Sequence, residues 1–323
     1  MNNDSQVIVS KKERLHWLDY SKTIGMYLVV LGHVKDNTLL LKGIIYSFHM
    51  PLFFFLSGFL HKLRIGGGKF CVSLVKQLVI PFFIFNGLTL LTKIKDIQTN
   101  GLIVTVYDFL KDFFESTFLG DLPVGPTWFI LSLIWMKIIM FLLLKIREDF
   151  LSLLIIEIIW ITALTLYYTL DFPQIPNYFH LGSSLLGFPF YLAGFLLKLK
   201  YKETVAWIKR KRWTIGLIFV FYIIGFLFNG FASLEGCKVG NYILLMYLTG
   251  LCGTLLTIVS THLLKRPNKW VYVLSCGMIV ILCTHGFILN MTIEEFYKLK
   301  YCSTVVYMLS LIHISEPTRL LSI

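Results

Sequence analysis

The sequence predicts an all-α fold, a polytopic transmembrane helical bundle of about ten spans with the last one truncated. Three observations carry that expectation. Hydrophobic residues make up 56% of the 323 residues before glycine is counted, and charged residues only 15%. A soluble domain holds about 45–50% apolar residues with glycine included, and about 25% charged. Mean hydropathy is +0.73. Apolar runs of bilayer-crossing length recur along the chain, and none shows the period-two alternation of barrel strands, so helices are the only spanning solution. This composition excludes a soluble globular enzyme, a disordered chain and a small disulfide scaffold. The six cysteines form no CxxC pair and read as small packing residues.

The spans fall near 16–34, 43–61, 70–92, 127–145, 151–170, 181–199, 213–231, 241–264 and 270–290, with a tenth apolar run from Cys302. The first run carries Asp19 and Lys22 and lacks a small-residue cleavage site, so no cleavable signal peptide is expected. With the N-terminus in the cytoplasm, 18 loop Lys and Arg fall inside and eight outside. The segment 198–212 is the most basic of the inner ones. The net charge of +12 is therefore an inner-face excess in a cell-membrane protein, not a nucleic-acid surface. Trp17, Trp128, Trp213 and Trp270 sit near span ends, as interfacial aromatics do. The outer segment 93–126 places Phe109, Phe113 and Phe114 at helical spacing and predicts a surface amphipathic helix, or a lid over an outward-facing site.

Polar residues inside spans are costly, so they point to function. Asp19, Lys22, Met26, Val29 and His33 share one stripe of the first span. Asp19 and Lys22 are spaced to pair, and His33 lies toward the outer end. His49 falls at a similar depth on the antiparallel second span, beside Pro51, Ser57 and Gly58. His285 lies near the outer end of the ninth span. Lys137 and Glu157 fall at similar depths on consecutive spans and are expected to pair. No metal-spaced carboxylate or cysteine set accompanies the histidines, so a hydrogen-bonded network is expected and no metal. Gly66–Gly68 form a flexible basic-flanked loop without a phosphate-binding pattern.

Three stretches resemble the membrane acyltransferase-3 family. RLHWLDYSKTIGMYLVVLGHV, from Arg14, resembles its opening, with a basic residue eleven positions before a histidine, here Lys22 and His33. SFHMPLFFFLSGFL resembles its second-span motif, most like the sugar O-acetylase branch, and GPTWFILSLIW resembles a later Trp-Phe-Leu segment. The resemblance implies a membrane acyltransferase domain over residues 1–308. It also implies transfer of an acetyl group from acetyl-CoA, with no tightly bound cofactor, to a hydroxyl of a cell-surface saccharide or its lipid-linked precursor. It assigns His33 as general base or transient acetyl carrier, with Asp19 and Lys22 setting the electrostatics. His49, Ser57, Trp128 and His285 are expected on the acceptor side, and Arg14, Arg64, Lys69 and Lys76 toward CoA. The sequence departs from the family in having Lys22 where arginine is common. Ahead of Pro81, where the family has two basic residues, it has only Lys76, with Ser73 at the other place. A glycan or small-acid transporter or flippase is the alternative that intramembrane charges leave open.

Residues 309–319, LSLIHISEPTR, resemble the conceptual translation of a sequencing adapter, so 309–323 is expected to be a non-native tail that cuts off the tenth span. Sequencing intact genomic DNA tests this: a native frame that departs from the motif near Met308 is expected, and a native LSLIHISEPTR would overturn it.

Overall fold

The computed structural model describes residues 15–34, 38–120, 122, 124–170, 172–173, 175–264 and 268–299. Arg14, the apolar run from Cys302 and the 309–323 tail lie outside them. The described residues form helices without a named strand; one isolated bridge, Ser233 to Lys238, closes a turn in the 230–242 loop.

Helix α1 (His16–Gly32) runs antiparallel to α2 (Leu39–Phe59). The Thr38 hydroxyl starts α2 by accepting from the Leu41 amide at 3.2 Å. The next crossing, Gly67–Leu91, is built from α3 (Gly67–Leu74) and α4 (Ile80–Leu88), joined through a π-helical stretch at Val75–Val79. Pro81, without an amide proton, cannot continue the regular ladder, and the widened turn falls just ahead of it. α5 (Ile94–Asn100) and α6 (Leu102–Leu119) follow; α6 buries Phe113 and exposes Tyr107 and Phe114, as an amphipathic surface helix should. Gly120, at φ +84°, ends it in the left-handed region.

α7 (Trp128–Ile146) and α8 (Phe150–Thr169) follow, joined by the short turn 147–149. Asp149 caps α8 by accepting from the Ser152 amide at 2.8 Å, a bond that holds its carboxyl below the usual carboxylate range. α9 (Leu181–Leu199) leads to α10 (Tyr201–Arg210), which meets α11 (Trp213–Asn229) at 97°. α12 (Ile243–His262) returns, and α13 (Lys269–Cys276) and α14 (Met278–Leu299) form a crossing bent by 78°. Among the described residues six helices are long and apolar enough to cross a membrane, or eight if each bent pair is one crossing. α1, at 17 residues, falls just short of that length.

The centre of the bundle is the contact between α2 and α9, the most extensive among the described residues. The α9 crossing is 78% buried, against 11% for α8, so α9 is central and α8 peripheral. Between apolar helices in lipid, association depends on close packing, and glycine allows it. A Cβ at Gly58 would overlap the Tyr191 carbonyl oxygen, and one at Gly194 would overlap the Phe55 carbonyl oxygen. The two backbones therefore touch through reciprocal glycines. On α12, Gly250 receives Phe190 and Pro51, and Gly253 receives Phe48. Around this centre the outward faces of α8 and α11, with Ile158, Ile159, Phe219 and Phe221, stay exposed.

The expected Lys137–Glu157 pair does not form. Glu157 is buried with its Oε2 lacking a hydrogen-bond partner and lies electrostatically close to Tyr247 of α12. Lys137 instead faces a pocket near the end of α2. Equal depth brought the two level, but their helices turn them to different neighbours.

Replacing Gly194 or Gly58 by alanine is expected to destabilise the purified protein by ~1–3 kcal/mol or more, read as a lower melting temperature, because backbone cannot yield as a side chain can. Gly216→Ala, whose added methyl meets nothing within 4 Å, should be neutral or stabilising.

Candidate functional site

Two cavities lie at opposite ends of α2. The first, about 270 Å³, is lined by Val29 and His33 of α1, Tyr46, His49 and Met50 of α2, and the turn that opens α7 with Trp128 and Phe129. Ser233, Leu234 and Glu235 of the 230–242 loop and Leu282 of α14 complete it.

Three histidines gather here in the same internal arrangement. His33 Nδ1 is 2.8 Å from the Val29 carbonyl, His49 Nδ1 2.7 Å from that of Ile45, and His285 Nδ1 2.7 Å from that of Leu282. A carbonyl only accepts, so each Nδ1 carries a proton and donates it, and in the neutral ring Nε2 keeps its lone pair. The His33 and His285 rings meet edge to face at 4.8 Å, and Tyr46 bridges to His49 at 5.0 Å. His49 and His285 are buried, whereas His33 is exposed at the cavity. The Nε2 of His285 is buried without a hydrogen-bond partner. Chemically, the cavity offers an accessible imidazole base with a second imidazole against it. Among the described residues no three His, Cys, Asp or Glu side chains converge to hold a metal.

Side-chain amides build the walls. Asn86 of α4 donates to the Phe82 carbonyl and to Thr127 Oγ1, at 2.9 and 3.1 Å, and its Oδ1 accepts from the Val124 amide at 3.3 Å. This pins the Gly125–Pro126–Thr127 turn and so places Trp128. Asn177 donates to the Glu235 carbonyl at 2.8 Å and accepts from the Ser183 amide at 2.9 Å, tying the 233–238 turn to the start of α9. Asn229 donates to the Val239 carbonyl and accepts from the Tyr242 amide, at 2.9 and 2.8 Å, fixing the base of the same loop. His180, at φ +56°, lies beside Trp128 behind the cavity wall.

The second cavity, about 210 Å³, is lined by Ser57, His61, Lys62, Ser73, Gln77 and Lys137 among others. His61 accepts or donates at Nδ1 with the Tyr191 hydroxyl at 2.7 Å, and Lys198 donates to the His61 carbonyl. Ser57 is eight residues from His49, about 12 Å along α2 at helical rise.

The structure thus brings His33, His49, Trp128 and His285 together and does not bring the other expected residues to them. Asp19 is fourteen residues from His33, about 21 Å along α1, and Lys22 about 16.5 Å. Asp19 is buried and accepts from Ser275 Oγ at 2.7 Å. Arg64 pairs with Glu148 at 3.0 Å on the surface, and Lys69 and Lys76 are exposed outside the second cavity's lining. Lys62 and Lys137 are the cations that line it. Sequence reasoning missed Tyr46, His180, Glu235 and Lys137 as site residues. The signal for Lys137 was its position within a span; for Glu235, in a loop, there was none.

A helical membrane bundle with histidines in one end cavity and cations in the other is the class of molecule that fold and site define. The family model described as an acyltransferase domain, acyltransferase-3, matches residues 15–315. The chain belongs to this family of membrane acyltransferases. Neither the comparison with curated proteins nor that with solved structures finds a match.

Asn86→Ala is expected to leave the Val124 amide without its acceptor and destabilise the fold by ~1–3 kcal/mol, seen as a lower melting temperature, because two bonds to the turn and one to the Phe82 carbonyl are lost together.

Proposed function

We propose that the protein moves an acetyl group from acetyl-CoA to a hydroxyl of a cell-surface saccharide or its lipid-linked precursor. In this reading it sits in the inner (cytoplasmic) membrane with its N-terminus and its cation-lined cavity toward the cytoplasm. The observation that carries the reading is His33, an accessible imidazole with an open Nε2, in a family of acyltransferases.

A sugar hydroxyl is a poor nucleophile at neutral pH, and imidazole is the side chain suited to remove its proton. The acceptor enters the histidine cavity with its ring against Trp128, near Ser233 and Glu235. His33 Nε2 takes the hydroxyl proton as the oxygen attacks the thioester carbonyl. The tetrahedral intermediate expels the CoA thiolate, which takes a proton from the imidazolium. His285, edge-on to His33, stabilises the imidazolium, and His49 orders the cavity floor.

The phosphates of the donor bind at the opposite end, on Lys62 and Lys137 around the second cavity, with Arg64, Lys69 and Lys76 on the surrounding surface. Arg14 belongs to the same end by sequence. Ser73 lines that cavity where the family has a basic residue, and Lys137 of α7 supplies the missing charge from across it. The pantetheine arm then reaches from Ser57 toward His49, about 12 Å along α2. Asp19 and Lys22 act on the donor end of α1, through local field and helix anchoring, and not by touching the reacting atoms.

The test uses membranes given acetyl-labelled acetyl-CoA. Label is expected on glycan, and His33→Ala should lower transfer by ~10²–10⁴-fold with expression unchanged. Lys137→Met should raise KM for acetyl-CoA more than it lowers kcat. Full transfer by His33→Ala defeats the base assignment; glycan movement without label defeats the enzyme reading in favour of transport.

A further inference from the structure

The bend between α10 and α11 creates a feature that the acyl-transfer reading does not use. With α11 crossing the membrane, the 97° angle lays α10 along the membrane surface. Its side chains divide accordingly. Tyr201, Thr204, Val205 and Ile208, at i, i+3, i+4 and i+7, turn inward, while Lys202, Glu203 and Arg210 are exposed. Trp207 and Trp213 are 47% and 62% exposed at the two sides of the bend, the position of interfacial aromatics.

Under α10 lies a groove of about 550 Å³, walled by Val205 and Ile208 of α10, Ile215 of α11, and Leu255 and Val259 of α12. That is the size of a small-ligand site. Its walls are aliphatic, but its ends are not. At one end Arg212 lines the groove, is exposed, and has no side-chain partner among the described residues; Lys211 adjoins it. At the other, the Tyr201 hydroxyl meets His262 Nε2 at 3.0 Å, and both rings lie against Trp17 of α1.

We propose that this groove is a binding site for an anionic phospholipid, one acyl chain lying on the aliphatic walls and the headgroup phosphate on Arg212 and Lys211. The charge complementarity favours this occupant. A surface helix places the cationic end at headgroup level, the apolar walls run inward from it, and a free guanidinium beside them fits a phosphate diester. A zwitterionic lipid satisfies the walls but leaves the excess cation uncompensated. Because Trp17 stacks on His262 and Tyr201 at the groove's far end, a bound lipid also steadies the start of α1. The site is independent of the proposed chemistry.

The experiment follows melting of the full chain in neutral detergent by intrinsic fluorescence, with phosphatidylglycerol, phosphatidylcholine or inorganic phosphate added. A saturable rise in melting temperature with phosphatidylglycerol, and a smaller one with phosphatidylcholine, is expected. Exposed Arg212→Gln should leave the lipid-free melting temperature unchanged and weaken the apparent affinity about fivefold, the worth of one cation at a membrane surface. Val205→Trp, which fills the groove, should abolish the saturable part. Equal rises with the two lipids, an equal rise with inorganic phosphate alone, or phosphatidylglycerol affinity unchanged in both variants would overturn the proposal.

Discussion

The backbone contact between α2 and α9 is the constraint on which the rest depends. Gly58 and Gly194 face the partner's carbonyl groups, at Tyr191 and Phe55, so the two helices lie as close as main chains can. α2 carries His49 toward one end and Ser57 toward the other. α9 begins at His180, beside Trp128, and ends near Lys198, which donates to the His61 carbonyl. One rigid pair therefore spans both cavities and fixes their separation. Interiors packed this tightly do not deform continuously. The distance between the two cavities is a property of the core, not of the loops that roof them.

The loops are held by a different device. Asn86, Asn177 and Asn229 each satisfy donors and acceptors of an irregular segment that would otherwise leave backbone groups unpaired near the hydrocarbon. Non-helical backbone at membrane depth persists only where protein satisfies it. These three amides are why the Gly125–Thr127 turn and the 233–238 turn can stand over the histidines. Phe179 and His180, both at positive φ, are held between Asn177 and the start of α9.

Much of the frame was legible in the sequence because a span must be apolar over some twenty residues, and that signal survives any environment. His33 and His49 were legible as a pair because antiparallel helices of known length place them at one depth. Rotation about the helix axis was not legible. In water an apolar stripe marks the buried face; in a membrane the lipid-facing side is apolar too, so Lys137 and Glu157 were placed level but wrongly facing. Ser57 was grouped with His49 by proximity in one motif, although eight residues of helix carry it to the other cavity. The 97° turn at 210–213 left its trace only as basic residues, which read equally as a loop. The hubs at Asn86 and Asn177 had no trace, since they bond to partners 41 and 58 residues away.

The distribution of chemistry between the cavities follows from what a membrane tolerates. A lysine or arginine deep in hydrocarbon must be paired or snorkel, and here Lys62, Arg64, Lys69 and Lys198 fall at or beyond the ends of their crossings. Imidazole escapes this limit because it exists neutral at physiological pH. Each of the three cavity histidines donates its Nδ1 proton to a carbonyl of its own helix, one turn back. That bond costs the helix little, satisfies half of the ring, and leaves Nε2 facing elsewhere. A carboxylate in the same place would need donors for two oxygens, and Glu157, with one oxygen unpartnered, shows how hard those are to find in a bundle of apolar side chains. A base that must work within the span, at a distance from the cations that hold an anionic donor, is therefore best made from histidine, and the spacing of α2 and α9 sets how far apart the two ends of that reaction lie.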